Sequence, residues 1–283
     1  MTKTKKKIIT VIVCIIVAVA VLISILFIVP AVYDKKCQNR VFEDMQLQLD
    51  KVKTSVIGII PKTVNEDGSI NYSGGGSGVV FEKKDGTYYA LSAGHVVADQ
   101  QATFKVYTDK TQYNTVDNAV FEQFGIEVVE SDFYDSLSDA KVEYVSSESD
   151  IAIVSFRSDD DLTVAELTSK DLSKGDRIVC LGHPENKQLT VTYGNITVPL
   201  KTINDKSKTY VVTEHNAYLN FGNSGGGAFS EDMKLTGINT GGYFTTFHYF
   251  QGGIYVPSRW PPGQLTAPSS AAPAPDGNPR FRQ

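Results

Sequence analysis

Short β-rich segments separated by turn residues fill most of this 283-residue chain, and they constrain its fold more than any other feature. The segments are rich in Val, Ile, Tyr, Phe and Thr, whereas Gly, Asn and Asp lie between them. Because no long helical periodicity interrupts them, they predict an all-β fold, either an antiparallel barrel or a sandwich. The predicted strands are Val52–Ile60, Gly78–Phe81, Thr87–Leu91, Phe104–Tyr107, Ile126–Val129, Ile151–Phe156, Arg177–Leu181, Thr190–Tyr193, Tyr210–Thr213, Leu235–Asn239 and Gly253–Val256.

A long apolar segment precedes these strands. Residues Ile8 to Val29 are apolar except for Thr10 and Ser24, and a helix of this length spans roughly 33 Å, enough to cross a bilayer. Since Lys3 to Lys7 lie before it, the positive-inside rule places the N-terminus in the cytoplasm and the chain after Pro30 outside. The alternatives are a buried helix of a soluble protein and a cleavable signal peptide, whose apolar region is usually shorter, about 7 to 15 residues.

Charge is distributed unevenly along the chain. Residues 1–40 carry seven Lys or Arg and one Asp, a net charge of +6, which leaves −11 on residues 41–283 because the total is −5. Nucleic-acid backbones are bound by clustered cations, so an acidic body argues against them as partners.

These patterns divide the chain into five parts. Residues 122–161 include twelve Asp or Glu and are interpreted as a solvated surface insertion within the β-rich part. The predicted parts are a cytoplasmic basic tail at residues 1–7, a transmembrane signal-anchor helix at 8–29, a stalk at 30–51, a β domain at 52–257 and a disordered Pro/Ala-rich tail at 258–283.

One serine lies among glycines in residues 222–229. A hydroxyl becomes an effective nucleophile when a base removes its proton and donors stabilise the charge on the attacked carbonyl oxygen. Glycine lets the backbone approach a ligand closely, so the N–H groups of Gly222 and Ser224 are candidate oxyanion donors for attack by Ser224. The alternative is an ordinary flexible Gly-Ser turn.

His95 and Asp150 are the candidate partners of this serine. His95 follows a predicted strand, and a neutral imidazole can accept a proton near pH 7 and return it. Asp150 immediately precedes a buried strand, where a carboxylate needs a partner and can orient an imidazole. Taken alone, a histidine or an aspartate in such a position more often has a structural role than a catalytic one. The other histidines lack metal-ligand spacing, so we expect no catalytic metal and no cofactor.

Taken together, these residues resemble the trypsin-like serine peptidases, and within that superfamily the HtrA (Deg) type. The resemblance extends along most of the chain after residue 72. Its motifs are Ser73–Phe81, Leu91–Val97, Asp150–Val154, Gly175–Pro184 with His183 in place of asparagine, Asn220–Gly226, Gly237–Thr240 and Tyr255–Ser258.

The resemblance implies two six-stranded antiparallel β-barrels with an active site in the cleft between them. His95 and Asp150 would come from the first barrel and Ser224 from the second, with Gly222 and Ser224 forming the oxyanion hole. It also implies polypeptide substrates and a possible homotrimer. The substrate pocket would be lined by Tyr218, Thr240, Gly241, Gly242 and Gly253.

The sequence departs from the family's pattern in three places. The interval of 55 residues between His95 and Asp150 is long for the HtrA type and indicates an insertion near residues 110–145. Phe221 stands where the family has proline, and no PDZ domain follows Ser258. The pocket position Tyr218 carries no carboxylate, so we expect cleavage after small or medium apolar residues rather than after Lys or Arg.

The sequence therefore predicts a membrane-anchored extracytoplasmic serine endopeptidase that acts on unfolded or surface proteins. One alternative is a catalytically silent pseudoprotease that binds extended peptides by strand addition. Another is a surface interaction protein with an extended Pro-rich tail.

Overall fold

A computed structural model describes residues 3–23, 40, 43–72, 74–110, 130–168, 170–184, 188–205, 208–244 and 250–257. The chain divides into two compact units, Met1–Leu47 and Gln48–Gln283. The predicted strand Ile126–Val129 and the predicted tail at residues 258–283 lie outside the described residues.

The first unit contains helix α1, Lys3–Ile23. None of the helices in the described ranges combines the length and apolar character that crossing a membrane requires. Residues 24–29 of the predicted span lie outside the described residues. The transmembrane segment therefore stays a prediction from the sequence.

The second unit is built from thirteen described strands, with a short helix, α2 (Glu130–Ser136), between the fifth and the sixth. The strands are β1 (Val56–Val64), β2 (Ile70–Tyr72), β3 (Gly76–Lys84), β4 (Thr87–Ala93), β5 (Thr103–Tyr107), β6 (Ser138–Ser146), β7 (Ile151–Phe156), β8 (Arg177–Gly182), β9 (Thr190–Asp205), β10 (Lys208–His215), β11 (Gly227–Ser230), β12 (Leu235–Phe244) and β13 (Phe250–Pro257).

Twelve of these strands form two closed barrels. The first has the order β1-β3-β4-β7-β6-β5 and closes by pairing of β5 with β1, while β2 extends the sheet beyond β1. The second has the order β10-β13-β12-β11-β8-β9 and closes by pairing of β9 with β10. All of these pairings are antiparallel, which confirms the predicted pair of six-stranded antiparallel barrels.

Each barrel is closed around buried aliphatic side chains. In the first, Ile57, Ile59, Leu91 and Ile153 are at most 2% exposed. In the second, a buried cluster includes Ile178, Cys180, Ile196, Leu219, Ala228 and Tyr255. Closure removes the free edges that an open sheet of this size would present.

Ten of the eleven predicted strands overlap observed ones, but three observed strands were not predicted. Strand β6 has no buried residue along its length, although Ala140, Val142 and Tyr144 alternate with polar residues in its sequence. Strand β2 has only three residues, and β11 begins at the last glycine of the serine loop. Their pairing with neighbouring strands places them in the sheets.

The interpretation of residues 122–161 as a solvated surface insertion is wrong for most of the part that the structure describes, because this part includes strands β6 and β7 and helix α2. Strand β6 belongs to the first barrel, and helix α2 packs against that barrel through Tyr134, which is buried with Ile60 and Tyr107. Asp135 on the same helix accepts hydrogen bonds from Lys62 and Tyr72. An acidic sequence therefore contributes both a strand and a docked helix.

Replacing Tyr134 by alanine removes a side chain that is only 4% exposed. We expect Tyr134→Ala to lower the free energy of unfolding by about 3 kcal/mol, because a cavity remains beneath α2. Val64→Ala, at a position that is 65% exposed, is the control and should change it by less than about 0.5 kcal/mol. Urea unfolding measures the free energy of unfolding of both variants. Equal decreases in the two variants would show that Tyr134 on α2 does not stabilise the barrel.

His215 is a buried titratable group in the second barrel. Its ring stacks on Tyr255 at 6.0 Å between centroids and leaves no room for a side chain at Gly253, which faces it across β10 and β13. Burial lowers the pKa of His215 to about 4, against a smaller opposing effect of the Ala217 backbone. In the folded chain the ring is therefore neutral at pH 6.

The unfolded state takes up a proton on His215 near pH 6.5, whereas the folded state does so only near pH 4. The stability that this difference contributes is present above pH 6.5 and is lost as the pH falls toward 4, by roughly 3 kcal/mol in total. We expect His215→Phe to show a smaller decrease in free energy of unfolding between pH 7 and pH 4.5 than the unaltered chain. Urea titrations at both pH values test this, and identical decreases in the two proteins would contradict it.

Candidate active site

The pairing of β4 with β7 brings His95 and Asp150 together. Ala93, the last residue of β4, lies opposite Ile151, the first residue of β7, so the residues just beyond these two ends meet. His95 occupies a 3-10 turn, Gly94–Val97, directly after β4. A side chain at Gly94 would approach the Ser146 carbonyl and Asp150 to 3.0–3.2 Å, so this glycine allows the close approach.

The carboxylate of Asp150 holds the His95 imidazole by its Nδ1 atom. Nδ1 lies 2.9 Å from Asp150 Oδ2 and 3.1 Å from Oδ1, and the His95 backbone N–H donates to Oδ1 at 2.8 Å. The imidazole side chain is 51% exposed and the carboxylate 16%. The opposite ring nitrogen, Nε2, is thus left for a reacting group, and the acid is shielded behind the ring.

Thr240, on β12 of the second barrel, provides a further donor to this carboxylate, because its hydroxyl donates to Asp150 Oδ2. The sequence assigns Thr240 only to a wall of the substrate pocket. No local signal identifies a threonine as the partner of an acid 90 residues away, and only the packing of one barrel on the other brings the two together.

Burial alone would raise the pKa of Asp150, but hydrogen bonds from His95 and Thr240 outweigh burial and hold its pKa below the ordinary value of 3.8. The carboxylate is therefore ionised at neutral pH. Asp150 also has a positive φ of 51°, a backbone conformation that aspartate tolerates better than most residues. An ionised carboxylate that is hydrogen-bonded to an imidazole can orient the ring and stabilise it after it takes up a proton.

Ser224 lies in a tight turn between Leu219 and β11. The turn is closed by hydrogen bonds from the Asn223 N–H to the Asn220 carbonyl and from the Gly226 N–H to the Asn223 carbonyl. Gly222 and Gly225 have φ values of 92° and 86°, which favour glycine. The glycines that flank the serine are thus required by the backbone.

The serine turn contacts both neighbouring elements of the candidate site. The Gly225 N–H donates to the carbonyl of Asn239, the residue before Thr240, at 2.7 Å. A Cβ atom placed on Gly76 would lie 2.6 Å from the Ser224 carbonyl oxygen and 2.7 Å from the side chain of Val96, next to His95. Ser224 and the His95 turn therefore meet at one point of β3.

The hydrogen bonds of the described residues include none from the Ser224 hydroxyl to His95. They also include none donated by the backbone N–H of Gly222 or Ser224. The structure thus joins His95 to Asp150 directly, and brings Ser224 beside them through backbone contacts. Among the described residues, neither predicted oxyanion donor has a hydrogen-bond acceptor.

The predicted pocket residues lie on β12, β13 and the segment before the serine turn. Gly242 pairs with Gly253, and a Cβ atom on Gly241 would lie 3.8 Å from the Ile254 side chain, an ordinary contact. Tyr218 is 50% exposed, and its carbonyl accepts a hydrogen bond from Thr192. Their role as a pocket stays a prediction.

Within the described ranges, no three His, Cys, Asp or Glu side chains converge as metal ligands would.

Comparisons with known proteins agree with this arrangement. The family model described as trypsin-like peptidase domain matches residues 76–238. The Serine protease Do-like HtrA of Bacillus subtilis is 30% identical over 175 residues, 59% of this chain and 33% of its own length. The protein of the same name from Lactobacillus helveticus is 26% identical over 180 residues, 62% of this chain and 38% of its own length.

A third relative is similar over a shorter stretch. Serine protease HTRA1 of Xenopus tropicalis is 32% identical over 111 residues, 37% of this chain and 24% of its own length. The chain thus spans about a third of the length of the curated relatives it matches. Because the family match covers more than half of the sequence, the chain belongs to the family of trypsin-like peptidase domains.

Proposed function

We propose that this protein is a membrane-anchored, extracytoplasmic serine endopeptidase. The observation that carries the hydrolase proposal is the held pair of His95 and Asp150, with Thr240 as a further donor and the glycine-flanked Ser224 beside them. The relatives are serine proteases by name. Their match is partial, so activity and substrates are proposed for this chain.

The proposed reaction is hydrolysis of a peptide bond through an acyl-enzyme, with a separate role for each residue. His95 Nε2 removes the proton of the Ser224 hydroxyl as Oγ attacks a peptide carbonyl, and Asp150 stabilises the imidazolium that forms. The N–H groups of Gly222 and Ser224 donate to the oxygen of the tetrahedral intermediate. His95 returns the proton to the leaving amine, and water then hydrolyses the acyl-enzyme on Ser224.

Membrane anchoring is proposed from residues 8–29 and from the surface of α1. In the described part of α1, nine aliphatic side chains are about half exposed: Ile12, Val13, Ile15, Ile16, Val17, Val19, Val21, Leu22 and Ile23. Exposed apolar surface on every side of a helix is unfavourable in water and favourable in lipid. With Lys3 to Lys7 on the cytoplasmic side, the protease domain would face outward.

Substrates are proposed to be unfolded or surface polypeptides cut after small or medium apolar residues. The proposal follows from the uncharged side chain of Tyr218 and from the lack of side chains at Gly241 and Gly242.

A homotrimer stays a prediction from family resemblance.

A fluorophosphonate probe tests the nucleophile, because it reacts only with a serine activated by a base and an oxyanion site. We expect the full-length protein in detergent to be labelled, and Ser224→Ala to abolish the labelling. Ser69→Ala, an exposed loop serine, is the matched control and should be labelled like the unaltered protein. His95→Ala should reduce casein hydrolysis by about 10⁴-fold or more.

Lack of labelling and of casein hydrolysis in the unaltered, folded protein would overturn the hydrolase proposal. If that protein still bound unfolded casein, the pseudoprotease that binds peptides by strand addition would replace it.

Thr240→Val tests the role of the donor to Asp150. Valine keeps the shape but removes a hydrogen bond to a charged group, so we expect kcat/KM to fall about tenfold. Thr240→Ser keeps the hydroxyl and should stay within about threefold of the unaltered enzyme. Steady-state hydrolysis of one peptide substrate by all three proteins measures this, and equal kcat/KM for valine and threonine would contradict the role.

A further inference from the structure

Ser77 joins the two barrels beside the candidate active site. It lies on β3 of the first barrel and is fully buried. Its hydroxyl donates to the Gly222 carbonyl at 2.8 Å, and its backbone N–H donates to the Ser224 carbonyl at 2.7 Å. Two hydrogen bonds thus reach the serine turn from a strand about 145 residues earlier in the sequence.

The remaining polar atoms of Ser77 are also used. Its hydroxyl oxygen accepts the backbone N–H of His183, the residue after β8, at 2.8 Å. Its carbonyl accepts the Ser92 hydroxyl at 2.7 Å, which fixes Ser77 to β4 within its own barrel. A single hydroxyl therefore bridges the end of β8 and the serine turn, both parts of the second barrel.

The fit around this hydroxyl is close. A Cβ atom on Gly182 would lie 3.1 Å from Ser77 Oγ and 2.7 Å from the side-chain oxygen of Asn223. The ring of His183 is buried and contacts Tyr107 of the first barrel edge-on, with centroids 5.0 Å apart. Packing on both sides therefore holds in place the two groups that bind the Ser77 hydroxyl, the Gly222 carbonyl and the His183 N–H.

The serine turn needs such a constraint from outside. Gly222 and Gly225 have positive φ values and no side chains, so local sterics restrict the turn weakly. The carbonyls that Ser77 binds belong to Gly222 and Ser224, the same residues whose N–H groups are the proposed oxyanion donors. Fixing the carbonyls restricts the backbone torsions that aim those donors.

We infer that Ser77 is a positioning residue, whose hydroxyl holds the serine turn in the orientation that catalysis requires. The inference rests on the proposed peptidase function. Ser77 does not contact substrate; it acts through Gly222 and Ser224.

The test compares the rate constant for fluorophosphonate labelling of full-length Ser77→Ala with that of the unaltered protein. We expect labelling to slow at least about tenfold, since a misplaced oxyanion donor weakens transition-state stabilisation. In casein or peptide hydrolysis, kcat should fall while KM changes little. The pH profile should keep its shape, because His95 and Asp150 are unaltered.

Ser55→Ala is the matched control for loss of a buried serine hydroxyl. Ser55 is also fully buried in the second unit and donates to the Val52 carbonyl at 2.6 Å. Ser55→Ala should lose about as much stability as Ser77→Ala, but its labelling should not be slower. Ser77→Thr, which retains the hydroxyl, should restore most of the labelling rate.

Equal labelling rates for Ser77→Ala and the unaltered protein would overturn the inference and leave the peptidase proposal intact. An unlabelled but folded unaltered protein would overturn the peptidase proposal itself. If Ser77→Ala does not fold, Ser77→Cys decides: its weaker thiol hydrogen bonds predict intermediate labelling, and an unchanged rate would contradict the positioning role.

Discussion

The partly buried carboxylate of Asp150 is the interaction on which the candidate site depends. A shielded charge is costly unless donors surround it, and here the imidazole and backbone N–H of His95 and the hydroxyl of Thr240 supply them. His95 belongs to the first barrel and Thr240 to the second. The same carboxylate therefore orients the proposed base and ties one barrel to the other.

Close approach of backbones is the second constraint on the site. Gly76, Gly182 and Gly225 lie where the two barrels meet, and a Cβ atom at any of them would come within 2.7 Å of a neighbouring atom. At these positions hydrogen bonds made by Ser77 and by the Asn239 carbonyl take the place of side-chain packing. Hydrogen bonds from outside the serine turn thus add to the two that close it from within.

Much of this architecture could be predicted because its signals are local. The alternation of β-rich segments and turns indicated ten of the strands, and the motifs around His95, Asp150 and Ser224 indicated the candidate residues. Strand β6 was not found in this way, because none of its residues is buried and its place depends on pairing with β5 and β7. The acidic segment before β7 was misread for the same reason: composition indicated solvent, whereas Tyr134 anchors α2 to the barrel.

The sequence by itself determined the all-β class, the order of His95, Asp150 and Ser224, and the glycines that the serine turn requires. These depend on residue type and short spacing, which the chain carries at each position. Only the tertiary structure decided that Thr240 donates to Asp150 and that Ser77 holds Gly222 and Ser224. Partners 90 and 145 residues apart meet because two barrels close and pack together, and no local pattern encodes a contact that packing alone creates.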